Sequence, residues 1–241
     1  MGSVLWLSLR QLGGRWRLAL VLLLAALPVA LAATIRIFSN DDSSDENSFV
    51  NVLLDGLMVG GIMPIVVMAL ATAAFGNEVE DRTLGYLVLK PIPRWKIALP
   101  KFLATVLIGG PLLIGGGVLA TVLGLDAGPQ AAVAVGVGLF AGVVTYAAIF
   151  TWTGLISNFA IAFALIYVFL WEGLIASLIP GIEYFSVRGY TLAIMHGMDE
   201  STLDALSTRV SDLPTAIVGA TVVTLLFFGL TVRRLLRMDV P

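Results

Sequence analysis

Apolar residues form six long runs along the chain, and short polar segments separate them. A membrane-spanning helix needs about 20 mostly apolar residues to cross the hydrocarbon core. The pattern therefore predicts an all-α integral membrane protein in which a single transmembrane domain occupies residues 1–241. The predicted spans are residues 18–38, 52–75, 97–123, 131–156, 159–179 and 215–232.

The first 17 residues have an amphipathic pattern of their own. Apolar residues at helical spacing form one narrow stripe, which consists of Leu5, Leu9, Leu12 and Trp16. Arg10 and Arg17 lie away from this stripe. The pattern predicts an interfacial helix over residues 1–17, with its tryptophans at the headgroup level and its arginines toward water.

The segment between the last two spans, residues 180–214, is about 35 residues long and carries the run IPGIEYFSVRGYTLAIMHGM. This run is too apolar for a loop in water and too interrupted for a span. Irregular backbone at membrane depth must be buried in protein or face a cavity, so we predict a re-entrant hairpin here. His196 is the only histidine and has no cysteine near it, so we expect no metal site.

Composition narrows the class of protein. The chain is 59% hydrophobic and only 12% charged, whereas soluble domains carry roughly 25% charged residues. There is no room for a separate soluble catalytic domain. The absence of cysteine excludes disulfides, thiolate metal sites and a cysteine nucleophile.

Basic residues set the expected orientation. Three of them precede the first span, five lie in residues 75–101 and three follow the last span, which places 11 of the 14 lysines and arginines on one side. The other side holds only Arg36, Arg188 and Arg209, together with most of the acidic residues. By the positive-inside rule, both termini and residues 75–101 lie in the cytoplasm.

Two carboxylates fall within predicted spans. Asp55 is near the outer end of the second span and is expected to reach the interface, whereas Glu172 lies deeper in the fifth span. A buried carboxylate is a functional candidate by default. The alternative is that Glu172 ties the fifth span to the hairpin by hydrogen bonding, with Arg188 as a possible partner. The sequence leaves both readings open.

The loop between the second and third spans has the signals of a short capped helix. Asn77 and Glu80 form a capping-box pattern, and acidic residues occupy the first turn. Pro91 stops the helix, and Pro93 can begin the next one. We therefore predict an amphipathic cytoplasmic helix over residues 77–90, clamped between two spans.

This loop resembles the signature loop of ABC-2 type transporter permeases, which has an acidic start, a leucine-rich helix, a proline-arginine turn and a lysine early in the next span. The matching positions are Glu78, Glu80, Asp81, Arg82, Thr83, Leu84, Pro91, Arg94 and Lys101. Pro93 departs from the pattern, since a small polar residue is common there. The six spans, the interfacial helix and the re-entrant segment also resemble the family.

The resemblance implies that the loop is a coupling helix, and that the nine matching residues contact a separate ATPase subunit. ATP and magnesium would be bound by that partner, because this chain has no G-x-x-x-x-G-K-[ST] phosphate loop. The chain itself would be neither an enzyme nor a cofactor carrier. The family works as a dimer, so the second permease is another copy or a sister chain. Export across a prokaryotic cell membrane is the implied role, with no nucleic-acid partner.

Two other classes remain as alternatives. An ion-coupled secondary transporter would show internal repeats and polar residues near the midplane, and here only Glu172 is deep. An integral membrane enzyme would need a nucleophile motif or paired aspartates within the spans. The sequence does not identify the substrate. Spans with few charges weakly favour an amphipathic or lipid-like molecule.

Overall fold

The computed structural model describes residues 2–38, 49–80, 93–125, 128–156, 159–175, 182–209 and 211–237, and these parts of the chain contain helices and no strand. Eight α-helices follow one another: α1 Gly2–Leu12, α2 Arg15–Phe38, α3 Met63–Glu80, α4 Trp95–Gly124, α5 Pro129–Ile156, α6 Ala160–Ile166, α7 Val187–Met198 and α8 Leu213–Leu236. Two π-helical segments, Phe49–Ile62 before α3 and Tyr167–Ile175 after α6, continue their neighbours without a break.

Five helical stretches in the described parts are long and apolar enough to cross a membrane. They are Arg15–Phe38, Phe49–Gly76, Trp95–Gly124, Pro129–Ile156 and Leu213–Leu236. They correspond to five of the six predicted spans, and their ends differ from the prediction by a few residues. The fifth predicted span corresponds to the shorter apolar helix Ala160–Ile175, and residues 176–179 lie outside the described parts. The all-helical membrane class is confirmed, and the sixth crossing stays a prediction.

The core is built around α5, which packs against α3, α4, α7 and α8. Small residues on α5 permit the close approach of α7. A Cβ added to Gly138 would lie 2.8 Å from the carbonyl oxygen of Thr191, and one added to Gly142 would lie 2.5 Å from the Thr191 hydroxyl. Because lipid tails are as apolar as the helices, van der Waals packing of this kind drives association.

The GGPLLIGGG run of the third span forms one continuous α-helix, although Pro100 and Pro111 lie within α4. The wide π-helical turns occur elsewhere, in the segments that carry Asp55 and Glu172. The apolar sequence of these segments did not predict the wider turn. π-helical turns are rare and are frequently found at functional sites.

Residues 182–209 form α7, with a 3-10 turn on each side, at Ile182–Phe185 and Asp204–Arg209. Most of α7 is buried between α5 and α8. Ser186 caps its first turn by accepting a hydrogen bond from the backbone of Gly189. Helix α7 is therefore mostly buried in protein, and the re-entrant hairpin stays a prediction.

The two ends of the helix bundle can be distinguished by their contacts. At one end Phe75 of α3, Ile97 of α4, Leu155 of α5 and Leu235 of α8 pack together. At the other end Arg36 donates a hydrogen bond to the Leu123 carbonyl of α4. Consecutive long helices therefore alternate in direction, as the chain of a multi-pass protein must.

Candidate functional site

The predicted contact loop lies mostly outside the described residues. This applies to Asp81, Arg82, Thr83, Leu84 and Pro91. Glu80 ends α3, and its side chain is also outside the described set. The structure does describe the two roots of the loop: Glu78 in the last turn of α3, and Arg94 and Lys101 at the start of α4.

An ion pair joins these two roots. The Nζ of Lys101 lies 2.6 Å from Oε1 of Glu78, and it also donates a hydrogen bond to the carbonyl of Ala74. The ammonium lies 4.6 Å from the centre of the Phe75 ring, within cation–π distance. Lys101 is only 1% exposed. Its three N–H donors thus face an anion, a carbonyl and an aromatic ring, all supplied by α3.

Burying an ammonium and a carboxylate is costly unless each is paired, and removing one partner leaves the other as an uncompensated charge. The pair therefore holds the end of α3 against α4 wherever both residues are charged. The Oε2 atom of Glu78 is buried and has no hydrogen-bond partner among the described residues. This arrangement supplies no nucleophile or acid–base pair, and what it can do is fix the spacing of the loop's two roots.

Apolar packing extends the root into the bundle. Phe75 and Ile97 pack with Leu155 of α5 and Leu235 of α8. On the other side of α3, Ala74 packs with Ala104 of α4 and Leu12 of α1. A displacement of the loop would therefore act on the ends of α3, α4, α5 and α8, and on the N-terminal helix α1.

Arg94 precedes the first residue of α4, and its carbonyl accepts hydrogen bonds from the backbone of Ile97 and Ala98. Pro93 lies one residue earlier and accepts from Lys96. The predicted helix start near the proline is confirmed to within two residues.

A second polar cluster lies at the other end of the bundle and is centred on Glu172. Its Oε1 accepts hydrogen bonds from the Tyr167 hydroxyl at 2.8 Å and the Val187 backbone at 2.9 Å. Its Oε2 accepts from the Ser186 hydroxyl and, at 3.3 Å, from the Arg188 backbone. Glu172 is 2% exposed. Its negative charge sits at the N-terminus of α7, where the helix dipole favours an anion.

Asp55 differs from its prediction. It is 1% exposed and is buried within the protein. Both Nε and Nη2 of Arg188 lie 2.7 Å from its Oδ1. A Cβ at Gly60 would lie 3.4 Å from the guanidinium carbon, so this glycine leaves the space that Arg188 occupies.

The predicted partner of Arg188 also needs a partial correction. Sequence analysis offered Arg188 as a partner for Glu172, but its guanidinium pairs with Asp55, and only its backbone N–H reaches Glu172. Asp55 and Glu172, which lie in the two π-helical segments, thus both bind residues in the first turn of α7. The sequence signal was a pair of acids in predicted spans and three basic residues outside the cytoplasmic group, Arg36, Arg188 and Arg209. This signal does not decide the pairing.

Among the described residues, no group of three or more histidine, cysteine or acidic side chains is placed to hold a metal ion.

Comparison with known proteins agrees with the loop and the helix arrangement. A search of curated proteins found no match to the chain. A family model described as "ABC-2 family transporter protein" matches residues 15–188. The match covers well over half of the 241 residues, from α2 through the loop roots to the first turn of α7. On the evidence of this match, the chain belongs to the ABC-2 family of transporter proteins.

Proposed function

We propose that this multi-pass membrane protein is the permease subunit of an ABC-2 type transporter, that it works as a dimer driven by separate ATPase subunits, and that it exports its substrate. Membership of the family supports the permease role. The observation that carries the coupling part of the proposal is the buried Glu78–Lys101 pair, which joins the two roots of the cytoplasmic loop.

A conformational change of the ATPase can drive transport only if the movement is transmitted to the membrane-spanning helices. A loop attached by flexible linkers would absorb the movement. Here one root lies within α3, the other lies within α4, and a buried ion pair clamps them together. A force on the loop would therefore shift both helices as a unit, and α4 packs along α2 and α5.

The ATPase contact itself is proposed for the loop residues Glu80, Asp81, Arg82, Thr83, Leu84 and Pro91. Glu78, Arg94 and Lys101 take the role of root residues beside them. ATP and magnesium belong to the partner in this proposal, since the chain carries no phosphate loop. The partner would hydrolyse the ATP, and the part of this chain would be to change shape when the partner does.

An ion-coupled transporter is the alternative, and the two intramembrane carboxylates are its only support. Both are fully engaged: Asp55 pairs with Arg188, and Glu172 accepts four hydrogen bonds. A carboxylate that carries an ion or proton through a cycle needs a free coordination position. The geometry therefore favours structural roles for both acids and ATP as the energy source.

The test separates docking from transmission. The chain is co-expressed with a candidate ABC ATPase subunit, and both co-purification and ATP turnover are measured in nanodiscs. Leu84→Asp should reduce co-purification, because a charge replaces an apolar contact. Lys101→Gln should keep the ATPase bound but abolish the change in turnover that the permease causes.

Lys96→Gln is the matched control for Lys101→Gln, because Lys96 is partly exposed and, among the described residues, has no bond across the loop roots. The double variant Glu78→Gln/Lys101→Gln removes both charges and should recover part of the coupling. Normal coupling in Lys101→Gln would refute the role of the pair, and an ATPase that never co-purifies with the wild-type chain would refute the permease proposal.

A further inference from the structure

One face of helix α1 packs against the rest of the protein, and the opposite face is exposed. Ser8 and Leu12 are buried, and Leu5 and Leu9 pack beside Leu12 against α3 and α4. Trp6 and Leu7, on the opposite face, are 68% and 56% exposed. Large apolar side chains exposed on a helix that is otherwise docked indicate contact with lipid.

Three arginines accompany this apolar face. Arg10, Arg15 and Arg17 are exposed, and Trp16 between the last two is 90% exposed. In the described part of the chain none of the three arginines forms an ion pair. No acidic residue precedes Asp41 in the sequence, so the segment is cationic throughout.

The combination of residue types selects the ligand. The planar guanidinium matches the oxygens of a phosphate and binds it through paired N–H donors. Tryptophan prefers the headgroup level of a bilayer. Basic residues at the surface attract anionic lipids, each by about a fivefold gain in affinity. An acidic protein surface would satisfy the arginines but would leave Trp6, Leu7 and Trp16 without an apolar partner.

The position of α1 links this surface to the loop. Leu12 packs against Ala74 and Ala104. Ala74 is also the residue whose carbonyl accepts the hydrogen bond from Lys101, beside the Glu78 pair. Anything that holds α1 in place therefore also constrains the root of the loop through the contact with Ala74.

We infer that Arg10, Arg15 and Arg17 form a binding surface for the phosphate of anionic phospholipids, and that lipid bound there steadies the Glu78–Lys101 root. The importance of that root for coupling rests on the proposed function. The binding of lipid and the steadying of the root do not, and both are measured on this chain alone.

Binding is tested with the full chain in nanodiscs of phosphatidylcholine containing a spin-labelled lipid, either phosphatidylglycerol or phosphatidylcholine. The wild-type chain should immobilise the anionic label preferentially. The variant R10Q/R15Q/R17Q should lose that preference, by roughly fivefold or more. The matched control R233Q/R234Q/R237Q removes three exposed arginines at the same end of the bundle and should retain it.

An equal loss in both triple variants would show a diffuse electrostatic attraction and would overturn the site. An unchanged preference in R10Q/R15Q/R17Q would overturn it as well. If that variant kept its lipid preference but no longer co-purified with the ATPase, the arginines would belong to a protein contact, and the proposal would again be wrong.

The link to the loop root is tested with a spin label on a cysteine replacing Gly76, where a Cβ has no neighbour within 4 Å among the described residues. Adding about one third phosphatidylglycerol to the nanodiscs should reduce the mobility of this label in the otherwise wild-type chain. The same addition should have no effect in the R10Q/R15Q/R17Q background. Equal mobility with and without the anionic lipid in the wild-type background would overturn the steadying effect.

Discussion

Two donors reach each oxygen of Glu172: a tyrosine hydroxyl and a backbone N–H at Oε1, and a serine hydroxyl and a backbone N–H at Oε2. A carboxylate can accept all four bonds because it has no hydrogen of its own. A protonated acid or an amide would direct a hydrogen at one of these donors. Of the two readings that the sequence left open, the geometry therefore favours the structural tie to α7.

We accordingly expect Glu172→Gln to lower thermal stability, although the amide is similar in size. The amide nitrogen cannot accept from Ser186 or the Arg188 backbone, and an unsatisfied buried donor costs roughly 1–3 kcal/mol. Glu172→Leu should be worse, because it leaves every donor unpaired. The melting temperature of the chain in nanodiscs measures both, with Glu200→Gln at an exposed position as control. A melting temperature unchanged in Glu172→Leu would show that these bonds do not hold α7.

The Asp55–Arg188 pair gives a second prediction at this scale. Arg188→Gln removes the positive charge that pairs with the buried Asp55, so its cost should be about 3–5 kcal/mol of unfolding free energy. Asp55→Asn combined with Arg188→Gln removes both charges and should restore much of the loss. The comparison is a double-mutant cycle on thermal stability. Additive losses in the double variant would mean that the two side chains do not stabilise each other.

Sequence reasoning at the residue scale found the important charges but not their partners. Glu172 stands out as a deep carboxylate in a chain with few charges, whereas Glu78 and Lys101 were named by the resemblance to the family loop. Their pairings depend on which helices lie side by side. Lys101 and Glu78 are 23 positions apart, and Arg188 and Asp55 are 133 apart, and no local pattern connects them.

At the scale of elements, the glycines of α4 illustrate how closely helices can approach. A Cβ on Gly116 would lie 2.5 Å from the carbonyl oxygen of Ala25 in α2, whereas a Cβ on Gly115 meets nothing within 4 Å. Both glycines belong to the GGPLLIGGG run, and Gly116 shows that this run packs closely against α2.

Gly116→Ala should therefore push α2 away from α4 and lower stability by about 1–3 kcal/mol. Gly115→Ala, its neighbour in the same helix, should be neutral or slightly stabilising, since alanine is the better helix former. The two melting temperatures, measured in the same lipid, test the contact. Equal effects of the two substitutions would indicate that α2 accommodates the added methyl group without strain.

The π-helical segments are the element-scale feature that the sequence did not predict. Helical period is inferred from the alternation of polar and apolar positions. In Phe49–Ile62 and Tyr167–Ile175 nearly every residue is apolar, so there is no polar face from which to infer the period. The wider turn shifts the angular position of each later side chain. Each segment contains one carboxylate that binds the first turn of α7, Asp55 in the first segment and Glu172 in the second.

At the scale of the whole molecule, the orientation expected from the basic residues stays a prediction. The two roots of the loop, at Phe75 and Ile97, and the end of α8 lie at one end of the bundle, together with α1. With 11 of the 14 basic residues in these regions, we expect that end to face the cytoplasm.

The chain has no cysteine, so single cysteines report on this orientation without interference. Ser44→Cys should react with an impermeant thiol reagent added from outside the cell. Thr83→Cys, the control in the opposite loop, should react only after the cytoplasmic side is opened. The reverse pattern would invert the molecule and remove the basis for an ATPase contact at residues 81–92.

The sequence by itself determined the membrane class, five of the spans to within a few residues, and the resemblance to the ABC-2 family, because these depend on composition, run length and local spacing. Tertiary structure decided which buried charges pair, where the helices widen, and that α1 packs beside the Ala74 carbonyl to which Lys101 is bonded. These features arise between segments far apart in the chain. In a bundle where almost every face is apolar, only the packing of the helices against one another selects which residues meet.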